Sequence, residues 1–190
     1  MTILRRFPIF LLLMTSPVLA ENQDPVLFDF SGPKAAERWR TVNDGVMGGR
    51  SVGRFKVNDD KTMDFFGTLS LEKNGGFASV RTRGENIGLK RGDVLVVRIQ
   101  GDGREYSLNL YTPSRRIAFS YRTKFKTTKD EWVELKIPIN RFVATSFGRV
   151  VSNQTLDPRA INGIGILLGD KKAGPFKLSI DWIKVRRGAR

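Results

Sequence analysis

Seven polar residues stand where binding chemistry is available: Asn43, Asp44, Arg81, Arg98, Asn109, Tyr111 and Arg122. An arginine fork grips a carboxylate, phosphate or sugar through paired hydrogen bonds, a tyrosine ring stacks, and an asparagine both donates and accepts. Arg81, Arg98, Asn109, Tyr111 and Arg122 fall on the polar faces expected of β-type segments, so they should line a rigid sheet surface. Asn43 and Asp44 sit in a Gly-rich turn that would rim that surface. An Asp44–Arg81 pair would be a structural bridge, and an Asn43 side chain bonded within its own turn is the plainer expectation for that residue.

Catalytic chemistry has little to work with. The chain has no His and no Cys, which removes Ser-His-Asp and Cys-His catalysis, thiolate and imidazole metal sites, and the usual general base at neutral pH. Carboxylate chemistry would need two convergent acids. Asp29, Asp44, Asp64, Glu72, Glu134, Asp170 and Asp181 are the acids to name, and none stands in a motif that demands such a pair. No enzyme activity, no cofactor and no metal are therefore expected.

Short motifs change nothing. Gly163-Ile164-Gly165-Ile166-Leu167-Leu168-Gly169 lies within an apolar strand pattern and no amphipathic helix follows, so it is not a dinucleotide loop. Asn58-Asp59-Asp60, or Asp29 with Asp181, offers oxygens to calcium but no complete set of ligands. Arg91-Gly92-Asp93 reads as a turn before a strand, not as an adhesion signal, and Asn153-Gln154-Thr155 matters only in a glycosylating compartment.

The first 20 residues have a basic start, a short apolar core and a Val18-Leu19-Ala20 end, the three parts of a secretory signal peptide. Residues 21–190 are then expected to form a single β-sandwich domain in a bacterial periplasm. The formal charge is +14; the leader holds two arginines and no acid, which leaves +12 on the remainder. Such a surface attracts polyanions. An envelope offers acidic protein surfaces, acidic glycans and, at most peripherally, anionic lipid, while export disfavours nucleic acid.

The elements that must hold these residues are strands. Segments rich in β-branched and aromatic residues recur between turn signals near Val26–Phe30, Ser51–Val57, Met63–Leu71, Phe77–Arg83, Val94–Gln100, Tyr106–Tyr111, Ile117–Lys126, Trp132–Ile137, Ile164–Leu168 and Phe176–Val185. Leu95, Val97 and Ile99 share one face, and Tyr106, Leu108 and Leu110 another, so one face should be buried and the other should reach solvent. A short helix is expected at Lys34–Arg40, and a brief turn between Pro138 and Phe142. In the last strand the apolar phase shifts after Trp182, which predicts a bulge or burial on both faces, and that strand is expected to pair with the first. Trp39 and Trp182 are expected in the core, with Trp132 the best candidate for an exposed ring. The basic run Arg122–Lys129 is expected to be a solvated strand edge.

One segment carries a resemblance. Trp39-Arg40-Thr41-Val42-Asn43-Asp44-Gly45-Val46-Met47-Gly48-Gly49-Arg50-Ser51 resembles the signature of the complex I intermediate-associated protein 30 family. Further matching blocks are Phe66–Leu71, Gly75–Arg81, Gly101–Tyr106, Trp132–Phe142 and Ile164–Phe176. The resemblance implies an all-β, jelly-roll β-sandwich of the galactose-binding-domain-like type, related to carbohydrate-binding modules. It also implies a binding role in assembling or stabilising a protein complex, here one of the envelope because of the leader. The runner-up is a module for an acidic or cell-wall glycan. Exposed aromatics beside Asn, Asp and Arg would favour the glycan, and an apolar patch rimmed by charge would favour a protein.

Overall fold

The computed structural model describes residues 24–73, 75–114 and 118–188. The expected leader lies outside the described residues, as do Asn74 and Ile117. The strands are β1 (Val26–Asp29), β2 (Trp39–Thr41), β3 (Val52–Val57), β4 (Met63–Leu69), β5 (Ala78–Thr82), β6 (Val94–Gln100), β7 (Glu105–Tyr111), β8 (Phe119–Lys126), β9 (Trp132–Pro138), β10 (Val143–Ser146), β11 (Arg149–Val150), β12 (Gly163–Leu168) and β13 (Gly174–Arg186). Among the described residues they form two sheets, antiparallel at every strand pairing. One sheet runs β3-β4-β13-β6-β9, with β1 also paired to β13; the other runs β11-β10-β8-β7-β12-β5-β2. This is the all-β sandwich that alternation predicts, with the last strand beside the first.

The core lies between the sheets. Leu95, Val97 and Ile99 of β6 and Leu108 and Leu110 of β7 are buried there. Phe28 of β1 meets Trp39 of β2 edge-on at 5.2 Å between ring centroids, which ties the two sheets together at one end. Burying such rings removes large apolar areas from water, the main source of stability in a chain without disulfides.

All ten expected strands are present, and β2, β10 and β11 are additional. Residues expected to form a helix at Lys34–Arg40 make a 3-10 turn, Ala35–Arg38, that passes straight into β2. Seven residues are too few to sustain a helix, and Trp39 gains more by packing on Phe28. The turn after Pro138 is a 3-10 turn, Ile139–Arg141. The expected bulge is also present: the β13–β6 register slips between Ile180 and Trp182, so Ile180, Ile183 and Val185 all reach the core. Trp182 therefore turns outward and is only partly buried, contrary to expectation. The basic run lies on an edge as expected from Thr123 onward, because β10 covers β8 only over Phe119–Arg122; Arg122 itself is paired on both sides. One further expectation changes. The outer face of β7 does not reach solvent throughout, because Ser107 and Asn109 are buried under neighbouring side chains.

The Asn43–Ser51 loop turns through a 3-10 segment, Asp44–Met47, and Gly48 at φ 85°. Gly48→Val should cost about 1–2 kcal/mol through backbone strain alone. Gly49→Val should cost more, because a Cβ there would lie 2.4 Å from the buried Asp44 Cγ. Thermal unfolding of both variants checks the order; equal loss would remove the packing argument.

Candidate functional site

Strand register assembles a site that no segment of sequence contains. Arg40 of β2 lies opposite Arg81 of β5, which lies opposite Gly165 of β12. Gly165 lies opposite Asn109 of β7, which lies opposite Arg122 of β8, and Arg122 lies opposite Val143 of β10. Directly opposed residues share a face, so this is one row across the outer face of the seven-stranded sheet. The glycine at its centre leaves a low floor between the arginines. A Cβ on Gly165 would come 2.7 Å from the Arg81 Cβ, and one on Gly163 would come 3.5 Å from the Tyr111 Cβ.

The side chains are held together around Tyr111. The Arg81 guanidinium sits over its ring, 4.9 Å from the centroid. Arg122 Nε donates to Asn109 Oδ1 at 2.9 Å, and Asn109 Nδ2 donates to Tyr111 Oη at 3.4 Å. Arg81 Nη2 donates to Ser79 Oγ at 3.0 Å, while Arg81 Nε is buried with no acceptor among the described residues. Burial raises the Tyr111 pKa, although Arg81, Asn109, Arg122 and Arg40 each pull it back, so the phenol is neutral at physiological pH. Burial lowers that of the Arg122 guanidinium, Tyr111 partly restores it, and Arg81 lowers it further by like-charge repulsion.

One flank of the row is apolar. β10 and β11 form a hairpin whose tip, Phe147 at φ 47° and Gly148 at φ 74°, is a two-residue turn. The backbone at Gly148 lies beside the Arg122 guanidinium, since a Cβ there would be 3.9 Å from Nη1. Val143, Phe147 and Val150 are 47%, 59% and 70% exposed.

Thus Arg81, Asn109, Tyr111 and Arg122 come together as the sequence suggested, and Arg40, Ser79 and the two glycines are additions. Arg40 was hidden by the helix expected over it. Only its i, i+2 alternation with Arg38, read as strand, could have revealed it. The other three candidates lie elsewhere. Arg98 is on the outer face of the six-stranded sheet, paired with Asp181 at 2.5 Å and over the Trp132 ring at 5.2 Å. The connection from β6 to β7 crosses between sheets, so similar alternation in these strands points to opposite sides of the molecule. Asp44 is 0% exposed and bonds Ser51, Gly76 and Phe77, so neither a partner nor Arg81 meets it. Asn43 Nδ2 reaches the Gly53 carbonyl at 3.0 Å, outside its own turn.

The remaining motifs take structural places. Asp93 of the Arg-Gly-Asp run is buried and accepts from Lys90 N and Arg187 Nη1, so it is closed to a receptor. Asp60 bonds Thr62 within its turn, Asp29 bonds Ser31, and among the described residues no group of three or more acids converges as a metal site. Trp132 is exposed at 36%, as expected, with Arg98 against it.

Comparison with known proteins places the chain in a family. The sequence pattern of complex I intermediate-associated protein 30 matches residues 28–180. The chain belongs to that family. It is 28% identical over 195 residues to the mitochondrial complex I intermediate-associated protein 30 of Drosophila melanogaster, covering 87% of this chain and 64% of that protein. The Mus musculus protein of the same name is 29% identical over 188 residues, covering 86% of this chain and 56% of that protein. This family member therefore spans less than two thirds of the length of either relative. Among solved structures it is similar to a family 11 carbohydrate-binding module from Clostridium thermocellum in complex with a mixed-linked tetrasaccharide. The TM-score is 0.62 and the identity 15%, covering 88% of this chain and 97% of that one. A family 30 carbohydrate-binding module is similar with a TM-score of 0.53 and 14% identity, covering 86% of this chain and 98% of that one. At such identity the likeness establishes the β-sandwich fold and nothing finer.

Proposed function

We propose that this chain is a non-catalytic binding protein that assists assembly or stabilisation of an envelope protein complex, in contact through the outer face of its seven-stranded sheet. The observation that carries the reading is the arginine row ending on Val143, with exposed Phe147 and Val150 beside it. An apolar patch rimmed by charge suits a protein partner. Phe147 adds weight: a bulky residue at positive φ is strained, and such strain is kept where an exposed contact uses it. Family membership supports the assembly role, since the relatives are named for association with complex I intermediates. The leader supports export to a bacterial periplasm, and with it an envelope partner.

A protein partner is preferred to a glycan for a further reason. Sugar platforms need open aromatic faces, yet Tyr111, Trp132 and Trp182 each carry a cation over the ring, from Arg81, Arg98 and Lys184 respectively. In-cell crosslinking of the tagged, exported protein tests the reading. A reproducible envelope protein complex should be recovered, and recovery should fall with added salt and with Phe147→Asp, an exposed change that leaves the core intact. Recovery of glycan with no protein would overturn it.

A further inference from the structure

The ligand chemistry of this face follows from how its charges are left. Among the described residues there are nine ion pairs, and none involves Arg40, Arg81 or Arg122. Elsewhere the fold pairs some half-exposed arginines, as Arg38 with Glu85 and Arg186 with Asp24, and leaves others such as Arg54, Arg83 and Arg149 in no ion pair. What sets this row apart is that its unpaired charges are brought together. Arg40 and Arg81 are directly opposed across two strands, an arrangement of like charges that destabilises a sheet. Arg81 also repels Arg122. The partners the fold supplies are neutral: Ser79, Asn109 and the Tyr111 ring. They orient the forks without cancelling their charge.

We infer that this row binds an acidic, partly apolar peptide segment of the partner protein, with carboxylates seated on Arg81 and Arg122, Arg40 as a third point, and apolar side chains against Val143, Phe147 and Val150. The inference rests on the proposed contact face and adds the chemistry of what lies on it. A carboxylate takes two parallel N–H donors from an arginine fork, and its charge relieves the repulsion that the unliganded row carries. Arg81 and Arg122 are three strand spacings apart, about 14 Å between backbones, which calls for a segment with several acids and not one small anion. The apolar flank distinguishes a peptide from a polyuronate, whose surface offers it nothing to bury.

Fluorescence anisotropy with a labelled peptide of alternating Glu and Leu tests this on the full exported chain, against a Gln-for-Glu peptide, polygalacturonate and phosphatidylglycerol vesicles. The Glu–Leu peptide should bind saturably, and Arg81→Gln or Arg122→Gln should weaken it about tenfold, the loss of one charge-assisted contact. The exposed Arg40→Gln should weaken it about threefold without risk to the fold. Arg54→Gln with Lys56→Gln, which removes two charges from the outer face of the other sheet, should change it less than twofold. Equal losses for both sets, or row-dependent binding of polyuronate or vesicles in place of the peptide, would overturn the inference. If the peptide fails while crosslinking still captures an envelope complex that Phe147→Asp releases, the inference falls and the proposed function stands. If crosslinking also recovers no protein, both fall.

Discussion

Replacing Arg104 with alanine should lower the free energy of unfolding by about 3–5 kcal/mol, the cost of leaving one member of a buried ion pair alone. Arg104 lies immediately before β7 and Asp170 in the turn between β12 and β13; their side chains are 11% and 4% exposed. Arg104 Nε and Nη2 donate to the two Asp170 oxygens at 3.0 and 2.7 Å, and Nη1 donates to the Pro175 carbonyl at 3.0 Å. Nη2 also bonds the Lys172 carbonyl. Beside them Asp102 accepts from Tyr106 Oη at 3.0 Å and from Lys177 N at 2.9 Å. One end of the sandwich is therefore fastened by a polar cluster that joins the two sheets through β7 and β13. Asp170→Leu should cost as much as Arg104→Ala, since it strands the guanidinium. The double variant Arg104→Met with Asp170→Leu should cost less than either single one, because no uncompensated charge remains. Urea unfolding of the three variants measures this, and additive losses would show that the pair is not coupled.

The same cluster shows what sequence reasoning reaches and where it stops. Gly101-Asp102-Gly103-Arg104-x-Tyr106 is visible as a pattern, and its turn before a strand is correctly placed. Its partners Asp170 and Lys177 are 66 and 75 residues away, and nothing local names them. Alternation assigns each strand a buried and an outward side because that property is local. It placed Asn109, Tyr111, Arg81 and Arg122 outward correctly. It does not say which sheet a strand joins, so Arg98 was grouped with residues on the other side of the molecule.

Neighbours within a sheet are equally non-local. β12 lies between β7 and β5, far from both in the chain, and its insertion puts Gly165 between Arg81 and Asn109. Glycines that read only as interruptions of an apolar strand are thus the floor of the site. Arg40 was lost for a different reason: a three-residue strand has too little pattern to compete with a preceding helix start signal. Short β10 and β11 escaped in the same way, and with them the hairpin that gives the site its apolar flank.

Asp44 carries the other large effect, and it titrates. Ser51 N donates to Oδ1 at 2.8 Å; Ser51 Oγ, Gly76 N and Phe77 N donate to Oδ2 at 2.5, 2.7 and 3.3 Å. One carboxylate thus joins the ends of its own loop to the segment entering β5, and holds β2 where Arg40 meets Arg81. Asp44→Ala should cost about 3–5 kcal/mol, since several buried donors lose their acceptor. Asp44→Asn keeps the shape but turns an acceptor into a donor among donors, and should cost about 2–3 kcal/mol. Burial alone would raise the Asp44 pKa; the hydrogen bonds from Ser51, Gly76 and Phe77 outweigh it and hold the group below the usual carboxylate value. The folded protein then takes up this proton less readily than the unfolded chain. The stability Asp44 contributes is fully present above the unfolded value of about 3.9 and is lost as pH falls through the lower folded value. Asp64 and Asp170 are shifted in the same direction, so wild-type stability should decline from about pH 4 downward through several groups together. In Asp44→Asn the decline should be shallower by one group's share while the neutral-pH stability is already reduced. Urea unfolding of both proteins from pH 6 to pH 2.5 reads the two slopes, and parallel curves would mean that Asp44 is not held as the charged acceptor of this loop.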